Sequence, residues 1–157
     1  LVFQTEPLPE PLEVTGPIEV HLWVGTTAVD TDFTAKLNDV YPPSPWYPLG
    51  YALNLTDSIL RLRYRNGRER AELATPGEPM AVTITLYPTS NLFMPGHRIR
   101  LDVSSSNFPR FDVNPNTGEA IGRERRRVVA DNTVFHERGR ASRVVLPIIP
   151  LEPSRVG

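Results

Sequence analysis

Alternating apolar and polar residues recur in short runs along this chain, and each run predicts a strand. The clearest run covers residues 97–103, where Ile99, Leu101 and Val103 alternate with charged side chains. A period of two is the pattern of a strand with one buried face. The same pattern predicts further strands over residues 18–24, 33–40, 59–64, 81–86, 132–137 and 142–148. About seven or eight strands of this spacing are typical of a two-sheet sandwich.

The segments between these runs are short and contain many turn-forming residues. The 17 prolines and 10 glycines are spread along the chain, which argues against long helices. Gly16-Pro17 is expected to mark the start of the strand over residues 18–24. A helical turn is expected over residues 68–74, ended by the proline- and glycine-rich cluster that follows it.

Composition and charge exclude some classes of binding partner but do not identify one. The chain has 17 basic and 18 acidic side chains and a net charge of −1, whereas a general polyanion binder is more basic, so no nucleic-acid partner is expected. No export signal or membrane-spanning segment is recognised, so no membrane partner is expected, and a soluble protein of either the cytoplasm or the exterior fits. With 39% hydrophobic residues, residues 1–157 are interpreted as a single domain.

Residues suited to catalysis are few. A Ser-His-Asp triad needs its serine on an exposed elbow within Gly-x-Ser-x-Gly, and that motif does not occur. His21, His97 and His136 fall on three separate predicted strands without ligand spacing, and cysteine is absent, so no metal site or cofactor is expected. His97, at the start of its strand, is expected to bond to the backbone. The chain by itself is therefore predicted to be catalytically inactive.

Two charged segments have alternative interpretations. Asp30 and Asp32 have the i, i+2 spacing of calcium loops and are weak calcium candidates. We favour the other interpretation, in which Asp30 caps a turn and Asp32 orders the loop before Phe33 through backbone bonds. The arginine-rich run at residues 123–127 fits either a phosphate contact or a solvated arm paired with neighbouring acids, and the net charge favours the arm.

Several segments carry a resemblance to a known family. They include residues 11–17, 30–37 and 59–65, and above all residues 96–101 (Gly-His-Arg-Ile-Arg-Leu) with residues 104–111 (Ser-Ser-Ser-Asn-Phe-Pro-Arg-Phe). Through them the chain resembles the C-terminal domain of the cocaine esterase and X-prolyl dipeptidyl-peptidase (CocE/NonD) family of serine hydrolases. The resemblance implies an all-β fold, a jelly-roll β-sandwich that is galactose-binding-domain-like. It also implies a preceding α/β-hydrolase domain, absent from this sequence, that carries the catalytic serine.

What the resemblance implies about function is a non-catalytic domain. The parent enzyme would be a serine acyl hydrolase acting on ester or X-Pro peptide bonds, and this domain would pack on its α/β-hydrolase domain and shape the substrate cleft. Assembly into a homo-oligomer stays open. The alternative from another class is an autonomous carbohydrate- or ligand-binding module, for which Trp46 and Tyr47 are the only aromatic platform.

Two loops supply the candidates for the inter-domain interface. Residues 44–49 are an insertion relative to the family, and Trp46 and Tyr47 within it either cap the sandwich or contact another domain or subunit. The loop after residues 97–103 supplies the other candidates, which are Ser104, Ser105, Ser106, Asn107, Phe108 and Phe111. We expect both loops to form one surface, with Phe108 and Phe111 as its aromatic anchors.

Overall fold

The structure is a computed structural model, and it describes residues 1–150. In that range the chain forms ten strands and one 3-10 turn. The elements are β1 (Val2–Gln4), β2 (Leu12–Thr26), β3 (Asp32–Tyr41), β4 (Tyr51–Arg61), the 3-10 turn (Leu62–Tyr64), β5 (Met80–Phe93), β6 (Arg98–Ser104), β7 (Asn132–Glu137), β8 (Arg140–Ala141), β9 (Arg143–Val145) and β10 (Ile148–Ile149).

The strands form two antiparallel sheets with the core between them. One sheet has the order β1-β6-β3-β4. In the other, the long strand β2 pairs with β5 along one edge and with β7, β9 and β10 along the other. Alternate residues of β2, β3, β5 and β6 point inward, and the fully buried ones include Ile18, Val20, Phe33, Leu37 and Leu86. The predicted all-β sandwich is therefore confirmed.

Gly16-Pro17 does not begin the strand, as was predicted, because β2 passes through it. The register of β2 against β5 shifts between Gly16 and Ile18, which marks a β-bulge. Gly16 has a φ of +135°, a backbone conformation that glycine tolerates and that residues with a side chain rarely adopt. A bulge also accommodates Pro17, which has no N–H to donate.

Residues 59–74 differ most from the prediction. Strand β4 begins at Tyr51, well before residue 59, and ends at Arg61, because the nitrogen of Leu62 donates to Thr31 O (2.9 Å) in the β2–β3 connection. No helical turn forms at residues 68–74, so that prediction is wrong. Backbone bonds to residues earlier in the chain hold this segment instead, from the nitrogens of Glu72 to Arg63 O and of Ala74 to Val29 O, each 2.8 Å.

The predicted strand at residues 142–148 is interrupted near its end. Strands β9 and β10 lie on either side of Leu146 and Pro147. Since proline has no N–H, it cannot continue a hydrogen-bonded ladder. The Pro147 carbonyl oxygen still accepts a bond from the nitrogen of Thr15 at 3.0 Å, so the chain stays against β2.

The two ends of β3 carry different loops. Thr34 of β3 pairs with Ser104 at one end of the strand, and Val40 pairs with Arg98 near the other. The long connection at residues 105–131 therefore leaves the first end, and the connection at residues 42–50 leaves the second. From Thr34 to Tyr41 the strand advances by seven residues, about 23 Å at 3.3 Å per residue.

Candidate functional site

The 104–111 loop is fastened to a buried carboxylate of the β4 strand. Asp57 lies opposite Lys36 on the outer face of its sheet and is only 4% exposed. Asn107 Nδ2 donates to Asp57 Oδ2 at 3.0 Å. Arg110 Nε lies 2.8 Å from Asp57 Oδ1, oriented as an ion pair without an aligned hydrogen bond. A carboxylate withdrawn from water needs such partners, so Asp57 fixes the loop at two points.

The serines of this loop are also engaged in structural bonds. Ser104 Oγ lies 2.7 Å from Thr34 Oγ1 and donates to Ser106 O at 2.9 Å. Ser105 Oγ accepts a bond from Asn132 Nδ2 at 2.7 Å, which links the loop to the start of β7. These hydroxyls hold the backbone in place, and none of them is bonded to a histidine in the described part of the chain.

Phe108 projects from this fastened loop. The residue is 70% exposed, so it lies outside the core. Phe111 is half-buried, and the guanidinium of Arg110 lies 5.7 Å from the centre of its ring. A loop that is bonded on both sides of such a side chain would lose little conformational freedom if a contact formed; the role of Phe108 in an interface stays a prediction.

A second buried network fixes the connection further along. Asn114 Nδ2 donates to Asp30 Oδ2 at 2.9 Å and to Asp32 Oδ1 at 2.8 Å. Arg63 Nε donates to Asp30 Oδ2 at 2.8 Å, and Arg61 donates to both oxygens of Asp32 at 3.0 and 3.1 Å. Both carboxylates are fully buried. Two ion pairs and one shared amide thus join the β2–β3 turn, the end of β4 and the long connection.

This network shows what holds Asp30 and Asp32, the two weak calcium candidates. Asp30 does bond to backbone, since its Oδ1 accepts from the nitrogen of Arg63 at 2.9 Å. Asp32 is held by the side chains of Arg61 and Asn114 and not by the expected backbone bonds. The hydrogen bond from Arg61 to Asp32, opposed by burial, raises the pKa of Arg61 above its usual value. The guanidinium groups already occupy the carboxylates, and the absence of calcium binding stays a prediction.

The arginine-rich run lies on the same connection. Arg126 Nε is 4.0 Å from Glu119 Oε1, and its side chain is mostly exposed. Arg125, Arg126 and Arg127 line an open cavity of about 460 Å³ together with Arg61, Asp112 and Glu124. Ile121 and Val129 are exposed nearby in sequence. The end of the sandwich that carries Phe108 therefore presents apolar and cationic groups together.

The 42–50 loop lies at the opposite end and is held by its own atoms. Ser44 and Tyr47 exchange backbone bonds of 2.9 and 3.1 Å, and the nitrogen of Gly50 donates to Tyr47 O at 2.9 Å. Trp46 is 87% exposed, and Tyr47 packs on Tyr51 with ring centres 5.2 Å apart. Trp46 therefore does not cap the core, and its contact with another domain or subunit stays a prediction. The structure does not bring this loop together with residues 104–111, so the expected single surface is not formed.

The histidines occupy separate places. His97 Nδ1 lies 2.8 Å from Asp39 Oδ1, and both residues are buried, so the expected backbone bond of His97 is wrong. His21 lies beside Glu19 and Thr83 on β2 and β5, and His136 packs on the ring of Phe3. Across residues 1–150 no group of three acidic or histidine side chains could hold a metal ion, and no helix is long and apolar enough to cross a membrane.

Comparison with known proteins identifies the fold's relatives. A family model described as the X-Pro dipeptidyl-peptidase C-terminal non-catalytic domain matches residues 1–145. The chain belongs to this family. The X-Pro dipeptidyl-peptidase C-terminal domain is, by that description, a part without catalytic residues, in agreement with the absence of a serine elbow from this sequence.

Individual relatives support the same assignment. The cocaine esterase of Rhodococcus sp. (strain MB1 Bresler) is 46% identical over 151 residues, which are 95% of this chain and 25% of that protein. An alpha-amino acid ester hydrolase of known structure is 35% identical with a TM-score of 0.88, over 95% of this chain and 25% of its own. An aminopeptidase from a marine sediment archaeon, Thaumarchaeota archaeon, is 34% identical with a TM-score of 0.88, over 96% of this chain and 26% of its own. This chain thus spans about a quarter of the length of each relative.

Sequence reasoning missed the residues that hold the surface in place. Asp57 appears in the sequence as one acidic residue of an ordinary β-strand, and Asn114 precedes Pro115 as turn formers often do. Their partners, Arg110 and Asp30, are 53 and 84 residues away in the chain, respectively. No local pattern predicts a pair of that separation.

Proposed function

We propose that this domain serves a longer serine acyl hydrolase by packing against its α/β-hydrolase domain and shaping one wall of the substrate cleft. The family match over residues 1–145 carries the proposal. The described residues supply two packed sheets and a fastened, exposed aromatic loop, and they supply no nucleophile with a neighbouring base. In the parent, a serine would attack the acyl carbon while a histidine moves the proton.

The names of the relatives support a proposal for the class of substrate. They are named as an esterase, an ester hydrolase and an aminopeptidase, which all cleave an acyl group from oxygen or nitrogen. We propose that the parent of this domain hydrolyses esters or amides of the same general type, including those of X-Pro peptides. Selectivity among them would be set mostly in the catalytic domain, which also forms most of the pocket.

An autonomous sugar- or ligand-binding module has less support from the geometry. Such a module presents aromatic rings together with polar groups that fix the ligand's orientation. Trp46 and Tyr47 lie in a loop of prolines and apolar residues that has no charged side chain between residues 41 and 52. The exposed ring of Trp46 therefore has few polar neighbours that could select a sugar.

The proposal is tested with three proteins: the full-length parent, the parent without this domain, and the 157-residue chain alone. With p-nitrophenyl acetate and an X-Pro-p-nitroanilide, we expect fluorophosphonate-sensitive turnover by the parent and none above buffer by the chain alone. Removal of the domain should lower the parent's kcat/KM or its thermal midpoint. Fluorophosphonate-sensitive turnover by the chain alone, or a truncated parent unchanged in both properties, would contradict the proposal.

A further inference from the structure

We infer that the end of the sandwich formed by residues 104–131 is the surface that docks on the catalytic domain, with Phe108 as its anchor and Asp57 as the residue that positions it. The inference rests on the proposed function and deepens it. It assigns the contact to one end of the sandwich and excludes the 42–50 loop at the other end.

The exposure of Phe108 and the bonds that hold the residues on either side of it are the first support for this inference. Its ring is exposed while Asn107 and Arg110, on either side, are bound to the buried carboxylate of Asp57. An exposed aromatic ring is unfavourable in water and favourable in a pocket. Fastened flanks lower the entropy cost of ordering the loop when it binds. Phenylalanine is among the side chains enriched at protein interfaces, and a few buried anchors contribute most of the binding free energy there.

The neighbouring side chains define the partner's chemistry. Residues 123–127 contain four arginines and one glutamate, an excess of three positive charges. Arg110 is paired with Asp57 but keeps about half of its side chain exposed. The exposed Ile121 and Val129 add apolar area. The complementary surface is therefore an apolar pocket for Phe108 with carboxylates at its rim, since opposite charges at a rim guide association.

The position of the chain's first residue favours the catalytic domain as the occupant. The nitrogen of Leu1 donates to Val103 O at 2.7 Å, which places Leu1 at the same end of the sheet as the 104–111 loop. The family is a C-terminal domain, and its relatives are about four times as long as this chain. In such a protein the preceding polypeptide arrives next to Val103, where the 104–111 loop begins. This point is about 20 Å along β3 from the 42–50 loop, at 3.3 Å per residue.

Thiol labelling of the full-length protein tests this assignment. This domain has no cysteine, so Ser106→Cys beside Phe108 and Leu49→Cys in the 42–50 loop each add one thiol to it. Both positions are exposed in the domain. We expect the thiol of Ser106→Cys to react with a maleimide at least about ten times more slowly than the thiol of Leu49→Cys. The labelling of each peptide is followed by mass spectrometry. Adding Phe108→Ala should restore the fast reaction, because a hot-spot anchor contributes a tenfold or larger factor to binding.

The outcomes separate this inference from the proposed function. If removal of the domain changes the parent's activity while Ser106→Cys reacts as fast as Leu49→Cys, the domain docks elsewhere and the inference is wrong. If both thiols are protected, the division between the two ends is wrong. If removal of the domain changes nothing, the proposed function itself fails. Val129→Cys, in the same connection and highly exposed in the domain, serves as a second probe should Ser106→Cys fold poorly, and the same protection is expected.

Discussion

Two loops of this sandwich expose large aromatic side chains, and they differ in what lies beneath them. The 104–111 loop is bound to the buried Asp57 of the sheet, and the connection that continues it is bound to the buried Asp30 and Asp32. The 42–50 loop is bound mainly to itself. The exposure of their aromatic side chains therefore does not distinguish the two loops. They differ in that only the 104–111 loop is bonded to a buried carboxylate.

The difference has a physical basis in the cost of buried charge. A carboxylate enclosed by protein must keep its partners, because an unpaired buried charge is strongly unfavourable. Such a pair contributes little net stability compared with apolar packing, but it has one low-energy arrangement. Asp57 and Asp30 thus fix where Phe108 and the arginine-rich run lie, at one end of the sandwich only.

Among the substitutions that test this difference between the two loops, Asp30→Ala should have the largest effect on stability. In Asp30→Ala the guanidinium of Arg63, itself buried, loses its carboxylate, and Asn114 loses one of its two acceptors. We expect the free energy of unfolding of the chain, measured in urea, to fall by about 3–5 kcal/mol. Glu10→Ala, at an exposed position, is the control and should change little. Similar stability in the two variants would mean that the network does not hold the connection.

Asp57 tests the 104–111 loop by itself. Asp57→Ala removes the acceptor of Asn107 and the partner of Arg110. Because Arg110 is half-exposed and can return to water, we expect a smaller loss of about 1–3 kcal/mol. Amide hydrogen exchange should quicken at residues 107–111 and stay unchanged at residues 44–50. Faster exchange in both loops would show that they are not independent.

Gly50 tests the self-contained loop. Gly50 and Gly77 have similar φ values of +78° and +84°, but a Cβ at Gly50 would lie 2.6 Å from Tyr41 O, and one at Gly77 would meet nothing within 4 Å. Gly50→Ala should therefore destabilise the chain by about 1–2 kcal/mol more than Gly77→Ala. The extra exchange should be confined to residues near the 42–50 loop. Equal losses would contradict the close approach to the Tyr41 carbonyl.

Calcium should have the smallest effect. Asp30 and Asp32 already accept bonds from Arg63, Arg61 and Asn114, and two carboxylates provide only part of the six to eight oxygens that calcium takes. The thermal midpoint of the chain should be the same in calcium and in EDTA. A calcium-dependent rise that is lost in Asp32→Asn would show that the ion displaces the arginines.

The sequence predicted the parts of this fold that depend on local pattern. Strand β7 has the predicted bounds, and β3 and β6 lie within one residue of theirs at each end. Strand ends that depend on residues distant in the sequence were missed. Strand β4, for example, ends before the 3-10 turn because Leu62 and Arg63 bond to the β2–β3 connection. The role of Phe108 as an anchor stays a prediction. Its separation from Trp46 was missed, because it depends on which ends of β3 the two loops leave, and strand pairing decides that.

Paired alanine variants in the full-length protein test the central claim most directly. Phe108→Ala and Trp46→Ala each remove one exposed aromatic side chain, at opposite ends of β3. In the 157-residue chain both should change the free energy of unfolding by no more than about 0.5 kcal/mol, as surface substitutions do. In the full-length parent, Phe108→Ala should lower kcat/KM or the thermal midpoint clearly, and Trp46→Ala should leave both near wild type. Equal effects in the parent, or a larger effect of Trp46→Ala, would contradict the account.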